Sequence, residues 1–202
     1  AKSYTAIDKI NEIEDTIKKK FPDIQFLNMI VPPFRGVKDN AYDTVVSFQV
    51  IEHIEDDKAY LKEIHRVLKP GGLAIISTPN INWTLTRNPW HVREYTPEQL
   101  IQLCKSIFSE VQAKGITGND KVWEYYEENK RSVAKYKRLD IFGLEKRLPA
   151  SIFRIPYDIL NKMNRNQLKV KNEGLVSDIG QSDFMLSEQP KDCFDLFYIL
   201  KK

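Results

Sequence analysis

Cysteine is scarce in this sequence, with Cys104 and Cys193 the two examples among 202 residues. They lack the density of a disulfide-stabilised secreted domain and the spacing of a metal site, so we expect both to be buried small side chains. No window offers the ~18 consecutive apolar residues that a membrane span needs, and the start lacks the layout of a signal peptide. The sequence therefore predicts a cytoplasmic protein without a bound metal.

Glycine is also scarce, with eight residues and none before Gly36. The beginning of the chain therefore has no glycine-rich loop of the kind that lets a backbone approach a nucleotide. The sequence also has little excess of one charge sign over the other, with a net charge of +3. The excess is local, since residues 121–171 carry 13 Lys and Arg against 6 Asp and Glu. A net charge this small does not predict nucleic-acid binding.

Short apolar runs alternate with helical patterns along the first 118 residues. Strands are predicted at 3–8, 24–30, 43–51 and 72–79, and a helical spacing of isoleucines follows the first of them. Strands that are apolar throughout, separated by helices, favour an α/β fold with a mostly parallel sheet. Ligands of such sheets bind beyond the carboxyl ends of the strands.

Two later helices have clear end signals. Asp56 or Asp57 can cap a helix whose apolar face ends before the Pro70-Gly71-Gly72 stop. Thr96 precedes a proline and stands three residues before Gln99, which predicts a capping box. Both helices are therefore expected to begin at these residues.

The remainder of the chain predicts two more strands, at about 108–117 and 192–202. Between them the sequence is charged, favours helix and contains breaks at Gly143, Pro149 and Pro156. We expect one domain, 1–202, with a core of 1–118 and 184–202 and a helical insertion or lid of 119–183.

Polar residues occur where two of the predicted strands end. Asp8 follows the first strand, where a carboxylate can accept two hydrogen bonds from a ribose diol or cap the next helix. The stretch "SFQVIEHI" places Gln49, Glu52 and His53 at the end of the strand 43–51. A lone histidine in such a place is more often structural than catalytic.

The stretch "DTVVSFQVIEHIEDDKAYLKEIHRVLKPGGLAIISTPN" closely resembles the class I S-adenosylmethionine-dependent methyltransferases, including the ubiquinone-pathway O-methyltransferases. The resemblance covers residues 3–117 and the last strand. It implies a Rossmann-like sheet with an antiparallel last strand and S-adenosylmethionine as cofactor. It also implies an additional first strand with a glycine-rich turn, which is missing here, so we expect a shortened chain or a defective relative.

The resemblance assigns several cofactor positions. Asp8 matches the acid that holds the ribose, Lys9 and Ile10 match positions beside the adenine, and Phe48 and Gln49 match positions beside the methionine portion. Relatives carry Gly-Asp where this chain has Met29-Ile30, so the adenine amine is expected to contact the backbone or Asn28. Quinone methyltransferases carry a Glu where this chain has Gln49, which is a further reason to expect no metal.

On the acceptor side, the resemblance places Glu52 and His53 near the transferred methyl group. The stretch "NPWHVREYTPEQL" contributes His91 and Arg93 to a loop over the substrate. For a hydroxyl acceptor His53 is the first candidate base and His91 the second. The structural alternatives are a His53 that orients its loop, a His91 that stacks in the lid, and an Arg93 that pairs with Glu94 and neighbouring loop carbonyls.

The insertion combines aromatic and basic residues. Trp123 and Tyr126, with Trp90 of the preceding loop, are candidate walls of an acceptor pocket. The same composition suits contact with an anionic or lipid-linked substrate or a membrane surface. It equally suits a solvated lid or a homodimer contact.

Three functions remain open. The first is O-methylation of a small molecule or of a saccharide or cell-envelope precursor. The second is a non-catalytic binding domain with the same fold, and the third is a nicotinamide-dependent dehydrogenase, which Asp8 alone would also suit. Methylation of DNA amines is disfavoured, because "SFQVIEHI" stands where those relatives have a polar-Pro-Pro-aromatic motif and "VPPF" precedes the strand that should carry it.

Overall fold

The computed structural model describes residues 3–137 and 178–202, with four helical positions between them, Ile152, Arg154, Tyr157 and Ile159. Most of the predicted insertion therefore lies outside the described residues. The strands form two sheets, one of two strands and one of five, with no pairing between the two sheets among the described residues.

The smaller sheet is a parallel pair of short strands joined through a helix. β1 covers Thr5–Asp8 and β2 covers Gln25–Asn28, with Asp8 opposite Asn28. The connection contains α1, Glu14–Lys20. Apolar side chains of both strands pack against the main hydrophobic core. The predicted strand, helix and strand are confirmed, each somewhat shorter than its apolar pattern.

The larger sheet holds β3 (Tyr42–Phe48), β4 (Leu68–Pro79), β5 (Glu110–Gly118), β6 (Phe184–Ser187) and β7 (Asp195–Lys201). Its order is β3-β4-β7-β5-β6. β3 and β4 are parallel, whereas β7 runs antiparallel to both β4 and β5. The α/β class and the antiparallel last strand are confirmed. β6 is a short edge strand that the sequence patterns did not predict.

α2 covers Asp57–Val67, and its N-cap Asp56 accepts a hydrogen bond from the amide of Ala59 at 2.9 Å. The helix ends ahead of the predicted Pro70-Gly71-Gly72 stop. The helix ends at Val67 because Leu68 already pairs with the first residue of β3, which extends β4 backwards through the Pro-Gly-Gly sequence.

α3 covers Pro97–Lys105 and begins as predicted. The Thr96 hydroxyl accepts from the Gln99 amide at 3.3 Å, and the Gln99 side chain accepts from the Thr96 amide at 2.9 Å. α4, Asp120–Lys137, is the described start of the insertion. None of the described helices is long and apolar enough to cross a bilayer.

One core joins the helices to the larger sheet. Both cysteines are buried and unbridged, as predicted. Most of the deeply buried apolar side chains come from α2, α3, β4 and β7, and include Leu61, Ile64, Val67, Leu100, Cys104, Leu68, Ala74, Ile76, Leu196, Tyr198 and Leu200.

Gly115 of β5 lies close to Cys193, in the segment that leads into β7. A Cβ at this position would stand 2.4 Å from Cys193 Cβ and 2.5 Å from its Sγ. Because the buried cysteine has no room to yield, Gly115→Ala is expected to lower the free energy of unfolding by about 1–3 kcal/mol in urea titrations. Gly180→Ala is the control, since nothing lies closer than 4.0 Å there; equal effects of the two substitutions would contradict the close approach.

Candidate functional site

Asp8 lies at the carboxyl end of β1 and holds the turn that follows. Its Oδ1 accepts a hydrogen bond from the amide of Ile10 at 2.8 Å. Its carbonyl accepts from the Asn28 side-chain amide at 3.1 Å and from the Met29 amide at 3.0 Å. The local capping role of Asp8 therefore occupies one carboxylate oxygen, and Asn28 is tied to the backbone of β1.

The other predicted cofactor positions follow β1, β2 and β3, and several expose apolar surface. Ile30 is 76% exposed, Phe48 52% and Ile10 46%. Lys9 is exposed and Met29 is half-buried. Exposed apolar side chains can contact the face of a flat ligand, and Asp8 supplies a carboxylate at the end of β1. This combination of side chains fits a nucleoside such as that of S-adenosylmethionine.

Gln49 turns the chain away from the end of β3. It has a φ of +55°, a left-handed value that is uncommon for a residue other than glycine. Its amide donates to the Ser77 carbonyl at 2.9 Å, and its side-chain amide donates to the Ser77 hydroxyl at 3.4 Å. Backbone conformations of this kind cluster at functional sites.

Glu52 follows in a single 3-10 turn and is fully buried, with 0% exposure. Its Oε2 accepts from the Thr78 hydroxyl at 2.9 Å, while Oε1 has no hydrogen-bond partner among the described residues. Burial raises the pKa of Glu52, although its backbone and Thr78 bonds oppose the shift. A buried carboxylate with one unsatisfied oxygen costs stability, which is typical of a residue kept for function.

The two predicted histidines meet beside Glu52. The rings of His53 and His91 are edge to face with centroids 4.9 Å apart. His53 is exposed, and its Nδ1 lies 2.9 Å from the Trp90 carbonyl, which requires a proton on Nδ1. The structure therefore brings together the three residues nominated as catalytic.

His91 is more tightly held than His53. Its Nδ1 is 2.6 Å from Glu94 Oε1, and its Nε2 is 2.8 Å from the side-chain amide of Asn88. The Asn88 oxygen accepts from the Trp90 amide, so its nitrogen faces the ring and His91 carries its proton on Nδ1. Both ring nitrogens of His91 are thus used inside the protein.

Glu52, His53 and His91 are also the group of described residues that could hold a metal ion, since one ligand atom of each lies within 4.8 Å of the others. A metal would have to displace Asn88 or Glu94 from His91. The expectation of no metal stays a prediction.

Glu94 links the loop before α3 to the end of β4. Besides its bond to His91, it accepts a very short hydrogen bond from the Thr84 hydroxyl. The sequence signal that could have found Glu94 is its position three residues after His91, which suits a carboxylate that orients an imidazole.

Arg93 faces away from this group. It forms a very short ion pair with Asp57, and its Nη2 donates to the Glu55 carbonyl at 2.8 Å. The alternative that the sequence left open paired Arg93 with Glu94, and that pairing is wrong because Glu94 binds His91 and Thr84. The substrate role of Arg93 stays a prediction.

A cavity of about 620 Å³ opens beside the carboxyl end of β4. Tyr126 lines it, whereas Trp123 is not among its described lining residues and packs 4.4 Å from the ring of Phe194. Trp90 lies in the loop over the site, 46% exposed, with the Arg154 guanidinium 4.5 Å from its ring centre. The described lining consists of Pro79, Trp83, Thr84, Leu85, Thr86, Asn88, His91, Glu94, Val122, Tyr125, Tyr126, Asn129, Val133, Tyr157, Phe184, Phe194 and Asp195.

Asp195 is a cavity residue that the sequence reasoning missed. It is the first residue of β7 and pairs in register with Pro79 and Ile116. Burial raises the pKa of Asp195 to about 6, with a smaller contribution from Glu52, while a hydrogen bond with Gln49 opposes the rise. Because β7 is antiparallel, its beginning lies at the edge where the neighbouring strands end.

Sequence and structure comparisons agree on one family. Residues 1–76 match the family model described as a methyltransferase domain. A probable S-adenosylmethionine-dependent methyltransferase of Mycolicibacterium smegmatis is 37% identical over 103 residues, which is 48% of this chain and 39% of that protein. A ubiquinone biosynthesis O-methyltransferase of Cereibacter sphaeroides is 32% identical over 42% of this chain and 41% of its own length.

The chain thus spans about two fifths of the length of the curated relatives it matches. Among solved structures, a SAM-dependent methyltransferase of Thermotoga maritima, described as a possible histamine N-methyltransferase, aligns over 98% of this chain and 72% of its own, with a TM-score of 0.58 and 13% identity. That likeness concerns the fold. Residues 1–76 are thus similar in sequence to a methyltransferase domain, and the chain shares the fold of S-adenosylmethionine-dependent methyltransferases.

Proposed function

We propose that this protein transfers a methyl group from S-adenosylmethionine to a hydroxyl oxygen of a small molecule or saccharide. The observation that carries the proposal is the position of the cavity. It opens at the carboxyl end of β4, and its lining includes His91, Glu94 and Asp195. An acceptor in the cavity would lie beside the "SFQVIEHI" turn, and the name of the ubiquinone O-methyltransferase relative supports oxygen as the acceptor atom.

On the cofactor side, Asp8 would hold the ribose, with Lys9 and Ile10 beside the adenine and Phe48 and Gln49 beside the methionine portion. The bound cofactor supplies an activated methyl group on a sulfonium, so the protein's main task is alignment. Orientation of reacting groups can lower a barrier by roughly 7–11 kcal/mol.

A non-catalytic binding domain is the second candidate. The observation that favours it is Met29-Ile30, which stands where relatives carry an acid and leaves Ile30 76% exposed. A saccharide acceptor, a homodimer and a cytoplasmic location belong to the same proposal. They are tested by acceptor screens, by mass in solution and by cell fractionation.

Calorimetric titration of the chain with S-adenosylmethionine and NADH tests the cofactor. Asp8→Asn keeps an oxygen for the Ile10 amide but loses the charge that a ribose diol would meet. The affinity for S-adenosylmethionine is therefore expected to fall about 10- to 100-fold, since each bond to a charged group is worth about 1.5–3 kcal/mol.

Asp23→Asn is the matched control, because Asp23 is exposed in the same half of the chain and lies outside the proposed site. Heat from NADH but not from S-adenosylmethionine would contradict the proposal. Binding of S-adenosylmethionine without release of S-adenosylhomocysteine for any hydroxyl compound in a broad acceptor screen would support the non-catalytic domain.

A further inference from the structure

Asp195 joins the two halves of the site. It lines the acceptor cavity, and the Gln49 side chain on the predicted cofactor side opposes the rise of the Asp195 pKa. Its backbone is fixed between β4 and β5 by strand pairing on both sides. A rigid strand therefore presents a carboxylate at the boundary between donor and acceptor, which is the arrangement that a positioned catalytic group needs.

Among the described residues, the charges that act on Asp195 are negative. They belong to Glu52, in the turn after β3, and to Glu94, in the loop before α3, and Glu94 and His91 also line the cavity. The described lining of the cavity contains no Lys or Arg. Such surroundings suit a general base. The carboxylate can accept a proton from a reacting hydroxyl and release it again near neutral pH.

The histidines are less suited to that task. His91 uses both ring nitrogens in bonds to Glu94 and Asn88, and His53 is exposed and is not among the described lining residues. Glu52 is buried behind Thr78 and is absent from that lining as well.

We propose that Asp195 is the catalytic base for an uncharged hydroxyl acceptor seated in this cavity. The inference rests on the proposed function. The acceptor oxygen forms a bond to the methyl carbon while the carbon–sulfur bond breaks, and sulfur keeps the electron pair as a neutral thioether. The hydroxyl proton passes to the Asp195 carboxylate, which returns it to water after the methyl ether leaves.

The activity test uses catechol as a neutral hydroxyl probe and 3,4-dihydroxybenzoate as its anionic counterpart, with saturating S-adenosylmethionine between pH 5 and pH 9. Asp195→Asn is expected to lower kcat about 10²- to 10⁴-fold with KM changed less than about threefold, and to remove the loss of activity that wild type shows below about pH 6. Asp195→Glu should restore part of the rate.

The benzoate should have a KM at least about tenfold higher than catechol.

Asp192→Asn is the matched control, because Asp192 is exposed three residues away. An unchanged acid limb in Asp195→Asn, or a loss shared equally by Asp192→Asn, would overturn the assignment. An exclusive preference for the benzoate would overturn the uncharged acceptor.

A second measurement needs no acceptor. The pKa of Asp195 is about 6 in the folded protein against 3.8 as the ordinary value, so the folded state binds the proton more tightly and is destabilised once Asp195 ionises. Asp195→Asn should therefore raise the melting temperature by at least about 5 °C at pH 8, and the gain should vanish as the pH falls through 6 towards 4.

A lower melting temperature for Asp195→Asn at every pH would assign Asp195 a structural role and refute the inference. Catechol that is not methylated by wild type would count against the proposed function with that acceptor, and the melting experiment would then decide the role of Asp195 independently.

Discussion

Trp83→Ala is expected to detach α4 from the rest of the site and to lower the free energy of unfolding by about 3 kcal/mol. The Trp83 ring packs edge to face with Trp123 at 4.9 Å and Tyr126 at 5.7 Å, both on α4. Its Nε1 donates to the Lys191 carbonyl at 2.7 Å, and the Tyr126 hydroxyl donates to its carbonyl at 3.1 Å. Aromatic pairs of this geometry add about 0.5–1.5 kcal/mol each to the area they bury.

Urea titration gives the loss of stability, and hydrogen exchange followed by mass spectrometry locates it. Exchange should accelerate in 120–137 well before it accelerates in β3 and β4. Trp90→Ala is the matched control, because Trp90 is 46% exposed and stacks with Arg154 outside this cluster. If Trp90→Ala loosened α4 as much as Trp83→Ala, the aromatic cluster would not be what holds the helix.

Asp57→Ala is expected to destabilise the protein by a similar amount, about 3 kcal/mol. One oxygen of Asp57 accepts from both the Arg93 guanidinium and the Tyr95 hydroxyl, the latter at 2.8 Å. Tyr95 is buried with 4% exposure, so the substitution leaves a buried hydroxyl and a partly buried cation without their acceptor. The loop that carries His91 and Glu94 would lose its attachment to α2.

Asp56→Ala provides the comparison within the same turn. Asp56 is the N-cap of α2 and binds only the Ala59 amide in that role, so its loss should cost about 1 kcal/mol. Asp57→Asn keeps an oxygen acceptor and should fall between the two. An order in which Asp56→Ala costs more than Asp57→Ala would show that the cap, and not the Arg93–Tyr95 link, stabilises this region.

Features governed by local rules could be predicted from the sequence. Thr96 and Gln99 form their capping box because the interaction depends on residues three positions apart. The strand end at Asp8 follows from an apolar run that a polar residue closes, whereas β3 ends at Phe48 and not at the predicted Ile51. The motif that includes Glu52 and His53 also predicted two polar residues after β3, and the structure brings them together with His91.

Features that depend on distant pairing could not be predicted. The end of α2 at Val67 is decided by the pairing of Leu68 with β3, which overrides the Pro-Gly-Gly signal. Asp195 was missed because its importance comes from the antiparallel direction of β7, which brings the start of a strand to an edge where strand ends were sought. The two bonds that occupy His91 are likewise invisible until the loop is folded.

Asp8 and Asp195 lie in different sheets, and the two sheets are expected to differ in their free energy of local opening. A parallel pair with four matched residues is close to the smallest sheet that persists in water, so β1 and β2 should open locally at a lower free energy than β3, β4 and β7. A ligand that needs Asp8 binds only while this pair is closed, and its apparent affinity is the intrinsic affinity multiplied by the closed fraction. With Asp8 as the proposed ribose ligand, cofactor recognition would be coupled to a local folding equilibrium, and slower amide exchange in 5–28 on adding S-adenosylmethionine would measure that coupling directly.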